Sequence, residues 1–472
     1  MTAVLERPTE PRAVGWLPLV VVLAGTFMTF LDFFIVNVAL PSIQTELHAG
    51  QDAVQLVVAG YGLAVAVGMI SGGRLGDLYG RRRMFTLGLA LFTLTSAACG
   101  LAPNAGFLVV ARVLQGAAGA LMTPQVLAIL GSVYGGARRA KAFAAYGLAM
   151  GIAGVLGQLL GGALIQADLA GSGWRGIFLI NLPVGAVALL LVRRTVPESH
   201  GDRAQLDLLG TALVTLSLTA VVLPLVEGQQ HGWPTWTWLS LGAAPVLLAG
   251  FVAHQRHRRA TGRAPLVELN LFRDRTFSVG SLASLTFSVV PPAFFFILAL
   301  YLQEGRRCTP LFSGAVFIAV GVGFLAAMLT AERMTARLGR QILALGALAV
   351  GAGCLLLAET ADASSALVLV PGLAVVGFGS GMVLVPLSAT VLADVDARHA
   401  GAAAGVLSTA QQLGGALGVA VLGVVFYRSL GMAAFSHAFT VSLYVLAGVT
   451  LAAAALIQLL PDRPAPSSQQ SS

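Results

Sequence analysis

A chain of 472 residues that is 57% hydrophobic and only 10% charged lies far below the roughly one-quarter charged fraction of soluble domains. Its formal net charge of +8 does not indicate nucleic acid, because the 28 basic residues include a single lysine, Lys141, and nearly all sit between apolar runs. Cys99, Cys308 and Cys354 are scattered and the seven histidines lack ligand spacing, so neither a disulfide framework nor a metal site is indicated.

Apolar stretches of about eighteen or more residues recur along most of the chain without period-2 alternation, which predicts membrane-spanning helices, not a barrel. In chain order the predicted spans are 17–40, 54–72, 84–102, 107–132, 140–165, 176–193 and 207–226, then 236–254, 277–302, 311–331, 341–358, 365–388, 400–426 and 437–460. Residues 1–16 form a predicted N-terminal tail, and 461–472, rich in Pro, Ser and Gln, a disordered one. The first run is too long for a cleavable signal, and no small-residue cleavage site follows it. Placing both termini in the cytoplasm leaves 23 of the 28 basic residues on that side, four (Arg175, Arg306, Arg307, Arg428) opposite, and Arg112 within the membrane, as the positive-inside rule requires. All five tryptophans fall at predicted helix ends, where an aromatic belt forms.

Motifs follow the same order. Span 1 ends Leu31-Asp32-Phe-Phe-Ile-Val-Asn37-Val-Ala-Leu-Pro41. The predicted loop from Gly73 to Arg83 carries four arginines and one aspartate, and Gly73, Leu75, Asp77, Gly80 and Arg81 fit the pattern G-x-L-x-D-x-x-G-R. Span 4 holds Arg112-x-x-Gln115-Gly116-x-x-Gly119. Span 5 holds Gly157, Gly161 and Gly162, with Gln158 where a proline is usual. Span 6 opens on Trp174-Arg175 and continues through Asn181, Pro183 and Gly185. After span 10, Arg333, Gly339 and Arg340 repeat the spacing of Arg74, Gly80 and Arg81, with Ala336 in the place of Asp77.

Taken together, these motifs resemble the major facilitator superfamily, and within it the fourteen-span drug:proton antiporter branch. The resemblance implies an all-α integral membrane fold of two six-helix bundles related by an axis along the membrane normal. The bundles would occupy 17–193 and 276–460, with spans 7 and 8 inserted in the linker 194–275. It also implies a cytoplasmic gate at Gly73, Asp77, Gly80 and Arg81, and close helix packing at Gly157, Gly161 and Gly162. Asp77 is expected to meet a helix N-terminus of the second bundle, where exposed N–H groups favour an anion.

Asp32 and Arg112 are the ionisable residues deepest in the predicted membrane. Burying a charge there costs on the order of 2.5–3.5 kcal/mol, and such residues usually face a bundle interior or an aqueous cavity. They admit two readings: a structural ion pair orienting helices 1 and 4, or a proton-carrying carboxylate tuned by a cation. Candidate cavity residues are Asn37, Tyr61, Gln115, Gln158, Asn181, Phe295, Gln411 and Gln412, with Phe294 and Phe296 flanking Phe295 beside a kink expected at Pro291-Pro292. In the second half Glu304, Glu332 and Asp394 lie near span ends, so a neutral or monocationic amphipathic solute is favoured over a dication. The expected function is proton-coupled export of drug-like compounds, with the proton gradient as the energy source and no cofactor. The alternative is transport of a sugar-like or peptide-like metabolite. No catalytic constellation or phosphate loop suggests an enzyme. The composition suggests a bacterial inner membrane, and a monomer is expected.

Overall fold

The computed structural model describes residues 15–200, 207–228, 231–393, 395, 400–431 and 434–460; both predicted tails lie almost wholly outside this set. The first half comprises α1 (Leu17–Glu46), α2 (Gln51–Tyr79), α3 (Arg81–Gly100), α4 (Ala105–Val133), α5 (Gly136–Ala167), α6 (Gly176–Leu179) and α7 (Asn181–Thr195). Next come α8 (Leu208–Glu227) and α9 (Thr235–Ala260). The second half comprises α10 (Arg275–Ser288), α11 (Val290–Leu300), α12 (Pro310–Leu338), α13 (Gln341–Glu359), α14 (Val370–Leu392), α15 (Ala400–Leu430) and α16 (Phe435–Gln458). Because α6 with α7, and α10 with α11, each make one crossing, there are 14 helical segments long and apolar enough to span a membrane.

Packing within and between the halves follows one rule. In the first half α2 and α3 both pack on α4, and α1 packs on α5; in the second, α12 and α13 both pack on α14, and α10 packs on α15. The second helix of each half then packs on the fifth helix of the other, α2 against α15 and α5 against α12. This exchange is what a twofold relation about a membrane-normal axis produces.

The seams between halves are tight on the arginine-poor side. A methyl group at Gly162 of α5 would lie 2.3 Å from the Pro310 carbonyl oxygen, and one at Gly314 of α12 would lie 2.4 Å from the Gln158 carbonyl oxygen. These glycines let two backbones touch, as small residues do in membrane packing. Gln303 also donates to the Val38 carbonyl at 2.8 Å. Gly157 and Gly161 pack instead on α1, against Phe34 and Ile35, whereas Gly151 faces open space. The close-packing face of span 5 is therefore shorter than its run of glycines suggests.

The stretch from Gly73 to Arg83 is not a ten-residue loop. Helix α2 continues to Tyr79 and α3 starts at Arg81, so Gly80 alone makes the turn. Its φ of 103° belongs to the region that favours glycine. The helix persists because it stays in contact with α4: a methyl at Gly76 would strike the Gln125 side chain at 1.8 Å, and Gln125 donates to the Gly72 carbonyl at 2.7 Å. Span 9 breaks at Val289, just before Pro291 and Pro292 enter the first turn of α11, close to the expected kink. Trp174 departs from the belt expectation. It is buried against Phe178 and beneath Arg175, because its position at the mouth of α6 faces the bundle and not lipid.

The inserted pair is anchored by a charge on the arginine-rich side. Helix α8 packs on α9, α2 and α15, so it sits beside one seam, while α9 leans mainly on α8 and exposes Trp238, Leu239 and Val246. Asp207 caps α8 by accepting from the Gly210 amide at 2.9 Å. It also accepts from Gln255 at 2.8 Å, contacts His254 at 2.8 Å, and lies 3.6 Å from Arg258. Burial pushes this carboxyl up, but those hydrogen bonds and the Arg258 charge outweigh burial and hold it below the usual carboxylate range. Gln255 in turn accepts from the Leu266 amide at 2.6 Å, and Arg74 of α2 donates to the Pro265 and Leu266 carbonyls. The insertion is thus tied to the first half through Arg74.

Replacing Asp207 with Ala removes a cap, the acceptor of Gln255 Nε2 and the counter-charge of Arg258, so stability should fall by about 2–4 kcal/mol, read as a lower thermal midpoint in detergent. Because the folded carboxyl titrates below its ordinary value, its stabilisation is complete above a pH of about 4 and is lost as pH falls through the depressed value. An Asp207→Asn variant should lack that acid-side loss; an unchanged acid limb would show that Asp207 does not anchor the insertion. Gly162→Val should hold the arginine-poor ends of α5 and α12 apart. Spin labels there should report longer distances than in the parent protein, and an unchanged distribution would disprove the backbone contact.

Candidate functional site

Five helices of the first half converge on one dry polar cluster. Asp32 of α1 and Arg112 of α4 are both 0% exposed, with an Arg112 Nη1 to Asp32 Oδ2 distance of 2.5 Å. Arg112 and Gln115 stand three residues apart, hence on one face of α4. Gln115 Nε2 donates to Asp32 Oδ1 at 2.8 Å, and its Oε1 accepts from Arg112 at 2.8 Å. The glycine that follows has a physical purpose: a methyl at Gly116 would lie 2.5 Å from the Tyr61 carbonyl oxygen. Close approach to α2 brings Arg112 Nε within 3.1 Å of the Val57 carbonyl, and its guanidinium to 4.2 Å from the Tyr61 ring centre.

Asn181, at the start of α7, donates to Ser96 Oγ at 3.0 Å and lies 3.5 Å from Asp32 Oδ1; Ser96 passes its own proton to the Phe178 carbonyl at 2.9 Å. Cys99 Sγ contacts Gln115 Oε1 at 3.4 Å, and the Phe178 ring lies 5.6 Å from the guanidinium. Ser96, Cys99 and Phe178 stand outside the residues predicted from sequence. The available cue was Ser96 and Cys99, three residues apart on one face of an apolar span.

This arrangement leaves Arg112 well provided for without Asp32. It keeps the Val57 carbonyl, the Gln115 carbonyl and two aromatic faces, each a favourable partner for a cation. Asp32 can therefore change protonation state without stripping the guanidinium of every partner. In this state the carboxylate is sealed from solvent.

Three predicted cavity residues, Tyr61, Gln115 and Asn181, contact the buried charge pair in this structure. Spacing alone could not show this, because a polar residue facing the bundle interior and one facing the space between bundles have the same helical period. Asn37 Nδ2 turns back to the Phe33 and Phe34 carbonyls, at 3.1 and 3.2 Å. Gln411 donates to Ser388 at 3.0 Å within the second half, and Gln412 is half-buried. Gln158 is buried, and among the described residues neither atom of its amide finds a hydrogen-bond partner.

Phe295 does lie between the halves. Its ring meets Phe34 of α1 edge-on at 5.2 Å and stacks on Phe317 of α12 at 5.4 Å. Phe33 lies 6.4 Å from the Tyr61 ring, which sits under Arg112. Phe294 and Phe296 are buried in the second bundle. The aromatic seam therefore begins two residues beyond the buried carboxylate, at Phe34.

At the gate, Asp77 pairs with Arg81 at 2.9 Å within its own half. Among the described residues this is the only ion pair of Asp77. Gly73 has room for a side chain, its nearest neighbour being Pro124 at 3.7 Å.

Comparison with known proteins places this architecture. Residues 22–419 match the Major Facilitator Superfamily. The probable actinorhodin transporter of Streptomyces coelicolor is 40% identical over 432 residues, covering 89% of this chain and 74% of that protein. The puromycin resistance protein pur8 of Streptomyces alboniger is 33% identical over 474 residues, 96% of this chain and 92% of that protein. Among solved structures, a D-xylose-proton symporter superimposes with a TM-score of 0.69 at 16% identity, covering 94% of this chain and 98% of that one. A POT family transporter gives 0.68 at 16% identity, covering 93% and 95%; both likenesses concern the fold. Matches of this extent show that the chain belongs to the Major Facilitator Superfamily, as a transporter with 14 candidate spans related to drug and antibiotic efflux proteins.

Proposed function

We propose that this protein exports small amphipathic organic compounds in exchange for protons, by alternating access between its two helix bundles. The carrying observation is the adjacency of charge and contact surface on α1: Asp32 is paired with Arg112 inside the first bundle, and the next two residues reach Tyr61 and Phe295. Protonating Asp32 removes its attraction for Arg112, and the helix that relaxes carries Phe34 across the seam between halves. A change in charge state thereby becomes a change in the aromatic surface offered to solute. The names of the relatives, which include antibiotic transport and resistance proteins, support export of organic compounds. The arginine distribution supports a bacterial inner-membrane protein with both termini in the cytoplasm, and Gly73, Asp77, Gly80 and Arg81 are assigned to its cytoplasmic gate.

The energetics suffice. One charge moving through 100 mV supplies about 2.3 kcal/mol and one pH unit about 1.4. Together they sustain a gradient of a few hundredfold for a neutral solute, at about tenfold per 1.4 kcal/mol. A seam of aromatic rings with few fixed charges suits neutral or monocationic solutes.

The structural and coupling readings of Asp32 separate by a double substitution. Asp32→Asn should abolish dye extrusion driven by an imposed pH gradient in proteoliposomes. It should also cost about 3–5 kcal/mol of stability, since Arg112 keeps its hydrogen-bond acceptors but loses its buried counter-charge. Adding Arg112→Gln should restore the thermal midpoint but not the pH-driven transport. Recovery of both would reduce the pair to a structural one, and wild-type extrusion by the single variant would remove Asp32 from the mechanism. Phe295→Ala should raise the half-saturating concentration of an aromatic dye about 2–10-fold, the equivalent of one lost aromatic contact of about 0.5–1.5 kcal/mol; no change would place the dye elsewhere.

A further inference from the structure

Helices α3 and α7 leave a cleft of about 410 Å³ between them on the arginine-rich side, lined by Arg82, Arg83, Thr86, Leu87, Ala90 and Arg193. We propose that this cleft binds the phosphate headgroup of an anionic phospholipid from the adjoining leaflet. This assignment is independent of which compound the protein exports.

Charge is the first argument. The described ion pairs give these three arginines a single carboxylate, Glu198, 3.5 Å from Arg82 and 3.7 Å from Arg83. Arg82 is also held by the Val196 carbonyl at 3.2 Å, so it is fixed in place. Arg83 is 70% exposed at its side chain despite its Glu198 contact, and Arg193 is exposed, so both guanidinium forks can turn toward a ligand. Guanidinium matches phosphate oxygens in pairs, and basic pockets between membrane helices on the cytoplasmic side recruit acidic lipid headgroups.

The apolar wall is the second argument and selects a lipid over a free anion. From Arg83, the face of α3 continues through Leu87, Leu91 and Leu94, which are exposed at the i, i+4, i+8, i+11 spacing of one helical stripe. From Arg193, the face of α7 continues through Leu190 and Val187, also exposed. Two packed helices therefore present parallel apolar stripes, each ending in arginine at the same side of the membrane. A phosphate needs only the arginines, whereas acyl chains need the stripes. The cleft also touches the gate directly, because Glu198 accepts from the Arg82 amide at 2.9 Å, one residue beyond Arg81.

Native mass spectrometry of the purified full-length chain, offered phosphatidylglycerol and phosphatidylcholine at equal mole fraction, tests this. Phosphatidylglycerol should be retained preferentially, and Arg83→Gln with Arg193→Gln should weaken that retention by about fivefold per arginine removed. Arg273→Gln, at an exposed arginine outside the cleft, should leave it unchanged. Glu198→Gln, which removes the competing carboxylate, should strengthen it, so the proposal does not rest on loss of binding alone. Equal retention of the two lipids, or undiminished retention by the double variant, would overturn the site. Displacement of phosphatidylglycerol by an equal concentration of soluble glycerol phosphate would overturn the lipid assignment in favour of a free phosphate.

Discussion

A carboxylate and a guanidinium enclosed together in an apolar bundle set the terms for the rest of the first half. Each charge alone would cost several kcal/mol to desolvate, and each offsets part of that cost for the other. That requirement fixes where α1, α2 and α4 sit. Gln115 has to bridge both charges, Gly116 has to admit the α2 backbone, and Tyr61 has to lie under the guanidinium. The Arg-x-x-Gln-Gly sequence of α4 is the geometry of one ion pair written along a helix. Asn181 and Ser96 extend the network to α7 and α3, so a change at Asp32 is felt by five helices.

The seam between halves obeys a different constraint. No buried charge pair crosses it among the described residues; backbone touches backbone at Gly162 and Gly314, and aromatic rings meet at Phe34, Phe295 and Phe317. Contacts of this kind can be made and unmade without stranding a charge in the membrane. Under the proposed alternating access, a seam that opens once per transport cycle is best built from them. Strong, charge-dependent packing inside one bundle and weak, shape-dependent packing between bundles together favour rigid-body motion over internal rearrangement.

Much of this was legible from residue order. Hydrophobic runs give the fourteen candidate spans, and the repeated Arg-Gly-Arg spacing at the ends of α2 and α12 points to the duplication. The meeting of Asp32 with Arg112 follows from their being the two deepest charges. What sequence could not supply was which face each polar residue presents. Tyr61, Gln115 and Asn181 read as cavity residues and contact the ion pair, while Phe34, given no role from the sequence, bridges the halves. The helical course of residues 73–79 was also hidden: a run of charges and glycines reads as a loop, and only the packing of Gly72 and Gly76 on α4 keeps it wound.

The duplication also explains why the halves are not equivalent. Ala336 stands where Asp77 would be, and the buried Asp32–Arg112 pair lies in the first half. The inserted helices reinforce this imbalance. They are fastened to the charged half through Arg74 and the Asp207 cluster, while α8 also lies along α15 of the other half. A pair tied to one bundle and merely packed on the other can slide along the seam without being torn from its anchor. Under the proposed alternating access, such a pair would shield one side of the seam from lipid while the two bundles rock.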